Sequence, residues 1–521
     1  MQSLVISVVL LAPVICSVIV FALGRFKLNY FAKLFALISS FGVFVVSLLA
    51  FIMYESASFT VGNPHTGMAF KLVDQVSWIS QLNISYFVGV DMLSLPLVIL
   101  STFVTFLAIL SSWDREDRVG SYFSLILLLE TGIIGAFVFL DMFFFFIAWE
   151  IVLVPMFFLI GIWGGEKREY AAIYFFIYTH VASLILLLSL LGLYLGMPSG
   201  SASFSIFAIS QYYSGLPVAS VLGIFPFIFA GLLLGFMVKV PSAPFHTWLP
   251  LAHVEAPSPI SMILAGLLLK MGGYGILRFN LEIFPQLFNK YAIIIGIIGL
   301  ISLFWGGFVA LKQTDLKRLV AYSSIAHMGL VLFGAAATAA TGNPEGVIGA
   351  EIMMLAHGLI SPMLFNLCGT VQHSTGTRQI SSLKGITQRF PAYAALLTYG
   401  SFASLGLPAL FGFVSEFFVF LGAFSWNTYQ LSSGLQIPLL TFIAIFGIVV
   451  TVSYYLWMLQ RVVWGKATET IEKAHNIHMW EYYTPVLLMI PILIFGIFPR
   501  LITDPLYEAF TGVLPLIQSL I

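Results

Sequence analysis

The sequence predicts an all-α, polytopic membrane protein of about 14 transmembrane helices, on three observations. Hydrophobic residues make up 60% of the chain and charged residues only 8%, whereas soluble domains carry roughly a quarter charged residues. The apolar runs are unbroken over about twenty residues, the length that crosses a hydrocarbon core. They lack the alternation of a barrel strand, so the backbone must satisfy its polar groups inside helices.

Taken in order, spans are expected near 2–23, 31–53, 85–111, 119–139, 142–163, 170–195, 220–249, 257–280, 289–310, 318–340, 345–370, 391–424, 437–463 and 481–503. The first lacks a basic leader and runs straight into further spans, so it is read as a mature helix rather than a signal peptide. The longest exposed connection is 54–84, with Gly62, Asn63 and Pro64 at a turn. Spans four to six carry Glu130, Glu150 and His180. The seventh, GFMVKVPSAPFHTWLP, places Pro241, Pro244 and Pro250 just after Lys239 and is expected to break. In the eighth, ILAGLLLKMGGYGIL, Lys270 sits among Ala265, Gly266, Gly272 and Gly273, small residues that permit close helix approach. The tenth holds His327 and the eleventh Glu351 and His357. The twelfth, with Gly406, Pro408 and Gly412 just before Glu416, is expected to break like the seventh. No separate soluble domain fits, so 1–521 reads as a single membrane domain.

The basic residues orient these spans. Under this count the odd-numbered loops hold 16 of the 22 lysines and arginines, while the other side holds Lys71, Arg278, Lys290 and Arg500. The positive-inside rule then makes the odd loops cytoplasmic and puts both termini on the outer face.

An ionisable side chain at mid-membrane costs roughly 2.5–3.5 kcal/mol on insertion scales, so each is a functional candidate. Glu150 is the obvious partner for Lys239. Burial disfavours any ammonium and a nearby carboxylate restores it, so a buried lysine can trade its proton when a neighbouring charge moves. Histidines near neutral pH are natural shuttles, and His327 and His357 fall between Lys270 and Glu416 in chain order. A row of static ion pairs stapling helices together is the competing reading. Broken helices at corresponding places in two halves mark the site in transporters built on repeats. Spans four to eight (119–280) and nine to thirteen (289–463) would form two inverted five-helix repeats.

Composition also excludes. Net charge is zero and no basic patch invites nucleic acid. Two cysteines, Cys16 and Cys368, without a CxxC, cannot hold an iron–sulfur centre. His246 and His253 lack a third metal ligand other than Glu255. A b-type cytochrome would need facing histidine pairs, which His327 and His357 do not supply. No GxGxxG or P-loop is present, so no redox chemistry is expected in this chain itself.

VKVPSAPFHTWLPLAHVEAPSP followed by LLLKMGGYGILRF closely resembles the signature of the antiporter-like subunits of NADH–quinone oxidoreductase (complex I). GVDMLSLPLVIL, FFFFIAWEIVLVPMFFLIGIWGG, DLKRLVAYSSIAHMG and the MLAHG–LFNLCG stretch fit it as well, so the resemblance covers nearly the whole chain. Glu416, where sister subunits generally carry lysine, and an end after the fourteenth span make it most similar to the subunit M (mitochondrial subunit four) type. The resemblance implies a proton-translocating subunit of an oxidoreductase, with Glu150 and Lys239 as the gating pair and Lys270 as the central protonation site. It further implies His327 and His357 as relay and Glu416 as the exit-side group; it assigns no role to Glu130, His180 or Glu351. It implies flavin, iron–sulfur clusters and quinone in partner subunits, L- and N-type neighbours in the membrane arm, and a hydrophilic redox arm. The expected location is the cell inner (cytoplasmic) membrane or an organellar inner membrane. The alternative is a subunit of a multisubunit Na+/H+ antiporter or of a membrane-bound hydrogenase.

Overall fold

A computed structural model describes residues 4–57, 61–62, 69–198, 200–214, 223–427, 429–430 and 436–511. The turn expected at Asn63 and Pro64 and the outset of spans one and seven lie outside these residues. The helices are α1 Val5–Arg25, α2 Asn29–Ser56, α3 Leu95–Leu110, α4 Val119–Val138, α5 Met142–Trp163 and α6 Arg168–Leu195. After a short helix α7 (Ile206–Ser214) come α8 Phe225–Lys239, α9 Trp248–Glu255, α10 Ser258–Leu281, α11 Pro285–Leu311, α12 Leu316–Thr341 and α13 Pro344–Thr375. The last are α14 Pro391–Ser404, α15 Phe411–Ala423, α16 Leu439–Val462, α17 Met479–Ile497 and α18 Arg500–Thr511. Eleven of these are long and apolar enough to cross a membrane, and α3, α8 and α15 are shorter apolar helices.

One expectation fails. The span expected from 85 begins as a strand, β3 (Ile84–Val90), paired antiparallel with β2 (Ala69–Ile79), which in turn pairs with β1 (Val61–Gly62). ISYFVGV is rich in aromatic and β-branched residues, and a short apolar run cannot be told from a helix by periodicity alone. Helix α3 starts only at Leu95, where the Ser94 N–H donates to Asp91 Oδ1 at 2.9 Å and the Asp91 N–H to Ser94 Oγ at 3.1 Å.

Both expected breaks are present. Between α8 and α9 the carbonyls freed by the prolines find new donors: Ser242 N–H and Oγ reach Met237 O at 3.1 and 3.0 Å, and Trp248 Nε1 reaches Val238 O at 2.8 Å. A broken helix at membrane depth is tolerable only with such repairs. Between α14 and α15 the chain turns through Gly406 at φ +78°. Helix α10 is not regular either: Leu264–Leu268 and Ile276–Leu281 are π-helical and flank a short α segment that holds Lys270.

Helices α10 and α13 are wholly buried along their most apolar stretches and α12 nearly so, whereas α2 and α17 bury less than a third of theirs. The ionisable residues cluster on the buried group, which is where a hydrocarbon solvent forces them.

Candidate functional site

Lys270 is fully buried at the centre of this core. Its amino group donates to Ala265 O and to His357 Nδ1, both at 2.6 Å. The first bond spans five residues because the π segment shifts the carbonyls, and π-bulges recur at functional sites. With Nδ1 accepting, the ring proton of His357 sits on Nε2 and is given to Ser361 Oγ at 2.9 Å. The His327 ring lies 5.6 Å from that of His357, centroid to centroid. His327 Nε2 donates to Ser404 O at 3.0 Å, the carbonyl exposed by the break after α14, and its Nδ1 has no partner among the described residues. Both imidazoles and Glu416 line one cavity of about 10 Å³, close to the space one water occupies. Tyr455 extends the polar chain, accepting from Ser404 Oγ at 2.8 Å and donating to Ser323 Oγ at 3.0 Å.

Glycine 406 fixes the acid's place. A Cβ there would lie 2.1 Å from Glu416 Oε2, so the backbone of the break presses on the carboxylate. Gly272 does the same for the lysine helices: a Cβ would come within 2.8 Å of Phe236 O and 2.9 Å of Val240 N. The end of α8, which carries Lys239, therefore packs directly against α10 at Gly272, two residues on from Lys270.

The direct Glu150–Lys239 pair is not formed. Glu150 Oε2 accepts from His180 Nδ1 at 3.0 Å. Lys239 Nζ, 2% exposed with its residue, has no hydrogen-bond partner among the described residues and lies 3.7 Å from the Trp149 ring centroid. Trp149 is held by its Nε1, which donates to Ser183 Oγ at 3.0 Å. Glu150 stays close enough to act electrostatically on Lys239. The side chains of His180 and Glu150 are 41% and 24% exposed, on a face that lipid or a neighbouring protein must cover.

Sequence reasoning missed a second charged cluster. Arg278, read as a loop residue, is 1% exposed in the last turn of α10. It pairs with Asp91, with Glu282 Oε2 at 2.8 Å and with Tyr274 OH at 3.3 Å. The run GILRFNLEIF carried one signal, an arginine and a glutamate four apart, the i,i+4 spacing of a helical pair. Glu351 lies within electrostatic reach of this cluster, yet neither of its oxygens has a partner among the described residues, and the same holds for Glu130. His246 and His253 are separated in role: His246 accepts from Trp305 Nε1 at 2.9 Å, and His253 stacks on Phe365. No group of three metal-ligating side chains occurs among the described residues.

A helical bundle with broken, π-bulged helices and an interior row of lysine, histidine and carboxylate defines a membrane protein with an ionisable path through its core. The chain belongs to the NADH:quinone oxidoreductase/Mrp antiporter transmembrane family, whose model matches residues 140–460. It is 35% identical over 504 residues to the F(420)H(2) dehydrogenase subunit M of Methanosarcina mazei, covering 96% of this chain and 95% of that one. It is 38% identical over 475 residues to the NAD(P)H-quinone oxidoreductase chain 4 of Synechococcus sp. WH7803, covering 90% and 82%. The fold matches a chain of respiratory complex I from Thermus thermophilus at TM-score 0.82 and 25% identity, over 99% of this chain and 98% of that one. A chain of the Mrp complex from Dietzia sp. shares the fold at TM-score 0.80 and 23% identity, over 98% of this chain and 52% of that one.

Proposed function

We propose that this chain is the proton-translocating membrane-arm subunit of a complex I-type oxidoreductase. It would couple electron transfer from a reduced carrier to a quinone-like acceptor, in partner subunits, with proton movement along its own core. One observation carries the reading: Lys270, fully buried, is hydrogen-bonded to His357 and joined through His327 to Glu416 around a cavity near the size of a water. The relatives named as chain 4 and subunit M of quinone and F(420)H(2) dehydrogenases support it. The partly exposed Glu150–His180 pair supports a neighbouring membrane-arm subunit at that face.

In this reading the eleven long helices and the three shorter ones make fourteen crossings, with α8–α9 and α14–α15 as broken spans. Residues 119–280 and 289–463 form inverted repeats, and both termini face outward from a cytoplasmic or thylakoid-type membrane. Flavin and iron–sulfur clusters sit in a hydrophilic arm.

The switch is electrostatic. Opposite unit charges about 4 Å apart attract by roughly 4 kcal/mol at an effective dielectric near 20, and about 1.4 kcal/mol is one pKa unit. Moving Glu150 between His180 and Lys239 therefore changes proton affinity along the row by up to a few units. When Glu150 turns to His180, Lys239 loses its counter-charge, and the proton on Lys270 passes through His357 and His327 to Glu416. The titrations are coupled, so the row gains and loses protons as a unit.

Inside-out vesicles holding the intact complex with Lys270→Met test this. Proton uptake is expected to fall at least about tenfold while the complex stays assembled. Undiminished pumping would reduce the row to helix staples. Sodium-dependent transport by the purified complex would favour the antiporter reading instead.

A further inference from the structure

Helix α11 sorts its side chains by size. Its small residues turn inward: a Cβ at Gly299 would lie 2.6 Å from Gly329 O, and one at Gly306 2.7 Å from Ala326 N, so this edge packs tightly against α12. Its bulky residues turn the other way and wall a groove of about 820 Å³, lined by Ile297, Ile301, Phe304 and Phe308, by Ile443 of α16 and, at one end, by Lys312. Helix contacts inside membranes favour small residues that let backbones approach. A groove of isoleucine and phenylalanine suits a flexible hydrocarbon chain better than another helix.

Lys312 gives the groove a polarity. It is exposed, it is the only charged group in the lining among the described residues, and it makes no ion pair with any of them. From Ile297 to Lys312 the chain rises about 22 Å at 1.5 Å per residue. That is close to the depth of one leaflet, half of a hydrocarbon core of about 30 Å plus one headgroup layer of about 5–7 Å. Lys312 begins the loop that leads to Lys317 and Arg318, so its ammonium stands at the level of the headgroups in the leaflet on the basic-loop face.

One wall of the groove reaches the broken helix. Trp305 also lines it and is 53% exposed, while its Nε1 donates to His246 Nε2 at 2.9 Å. His246 stands in the break between α8 and α9 that follows Lys239. Three residues before Trp305, Ser302 Oγ accepts from the Ala243 N–H at 2.8 Å. Helix α11 thus holds the broken segment from behind at two points. One of them is buried, and the other rests on a ring open to the groove.

We propose that the groove binds one acyl chain of an anionic phospholipid, with its phosphate on Lys312, and that this lipid braces Trp305 and His246 behind the break. The bracing half rests on the translocation reading above; the binding half does not. The sign of the headgroup follows from the lone ammonium, and the chain follows from the apolar wall.

Photo-crosslinking of the intact complex in vesicles tests the binding half. A phosphatidylglycerol with a diazirine on its acyl chain is expected to label the segment 297–312. A phosphatidylcholine with the same chain is expected to label it about fivefold less, the ratio that one lysine's attraction to an anionic headgroup supplies. Lys312→Gln is expected to erase that preference. Equal labelling by both lipids in the unaltered complex means unselective boundary lipid, and no labelling of the segment means that a neighbouring subunit covers the groove; either overturns the site. For the bracing half, delipidated complex is returned to vesicles of phosphatidylcholine alone or mixed with phosphatidylglycerol. Proton uptake per electron transferred is expected to be several-fold higher in the mixture, and Lys312→Gln is expected to lose most of that gain. Unchanged uptake, or a gain that Lys312→Gln keeps, overturns the brace. The proton row is judged separately, by whether Lys270→Met still abolishes uptake in both membranes.

Discussion

Lys239 and Lys270 meet the cost of burial in two different ways, and the difference assigns them different work. Lys270 makes two hydrogen bonds, to a carbonyl and to an imidazole. Among the described residues Lys239 has no hydrogen bond and sits on the face of Trp149, a cation–π contact worth about 2 kcal/mol when desolvated, less than a hydrogen-bonded carboxylate would supply. It is the poorly satisfied member, the one whose energy a moving carboxylate changes most. His180 competes for that carboxylate, which leads to a prediction at the level of single residues. His180→Leu releases Glu150 to Lys239, and proton pumping by the assembled complex is expected to fall several-fold. The double variant Glu150→Gln/His180→Leu is expected to be no worse than Glu150→Gln alone, the non-additivity of two groups acting through one contact. Additive losses in the cycle would mean that the histidine acts elsewhere. The charges themselves were legible in the sequence because an acid or a lysine in an unbroken apolar run stands out. Their pairing was not, since which of two neighbours Glu150 faces depends on helix rotations that spacing alone does not set.

At the scale of elements, interrupted helices are where this fold does its positioning. Proline and glycine announced both breaks in the sequence. The π segments around Lys270 left no such mark, because ILAGLLLKMGGYGILRF reads as an ordinary apolar helix, and the hairpin strand over Ile84–Val90 was hidden for the same reason. In the second break Gly406 is the demanding position. Its φ of +78° is a backbone conformation that costs an ordinary residue roughly 1–2 kcal/mol, and any side chain would strike the Glu416 carboxylate. Gly406→Ala is therefore expected to displace Glu416 and to slow proton uptake more than it lowers the thermal midpoint of the detergent-solubilised complex. A variant that lost stability but pumped normally would detach the break from the acid's function. Gly42, with open space around it and no special backbone conformation, serves as the control: Gly42→Ala is expected to change neither.

Across the whole molecule, buried charge includes the row proposed to move protons and a separate ion-paired cluster that holds helices together. The Arg278 cluster joins the end of α10 to Asp91, at the joint between the β2–β3 hairpin and α3, so it ties the hairpin to one of the two wholly buried helices. Unlike Lys239, Arg278 has its charge answered twice, by Asp91 and Glu282, with Tyr274 alongside. Arginine does not give up its proton in proteins, so this site cannot be a step in the relay; it is a fixed positive charge. Removing one partner from such a buried set leaves uncompensated charge and costs about 3–5 kcal/mol. Arg278→Leu is thus expected to abolish or sharply lower assembly of the chain into membranes. Arg278→Lys keeps the charge but loses the forked geometry that reaches both carboxylates, and is expected to assemble with a lowered thermal midpoint. The neutralising triple Asp91→Asn, Arg278→Gln and Glu282→Gln is expected to recover assembly relative to Arg278→Leu, because hydrogen-bonding amides replace all three charges of the cluster. Pumping per assembled complex should then be close to normal in the recovered variant, since the clamp carries no proton. If it assembled fully but pumped no protons, the cluster would belong to the path, and Glu351, within its electrostatic reach and with no hydrogen-bond partner for either oxygen among the described residues, would be the residue through which the path enters it.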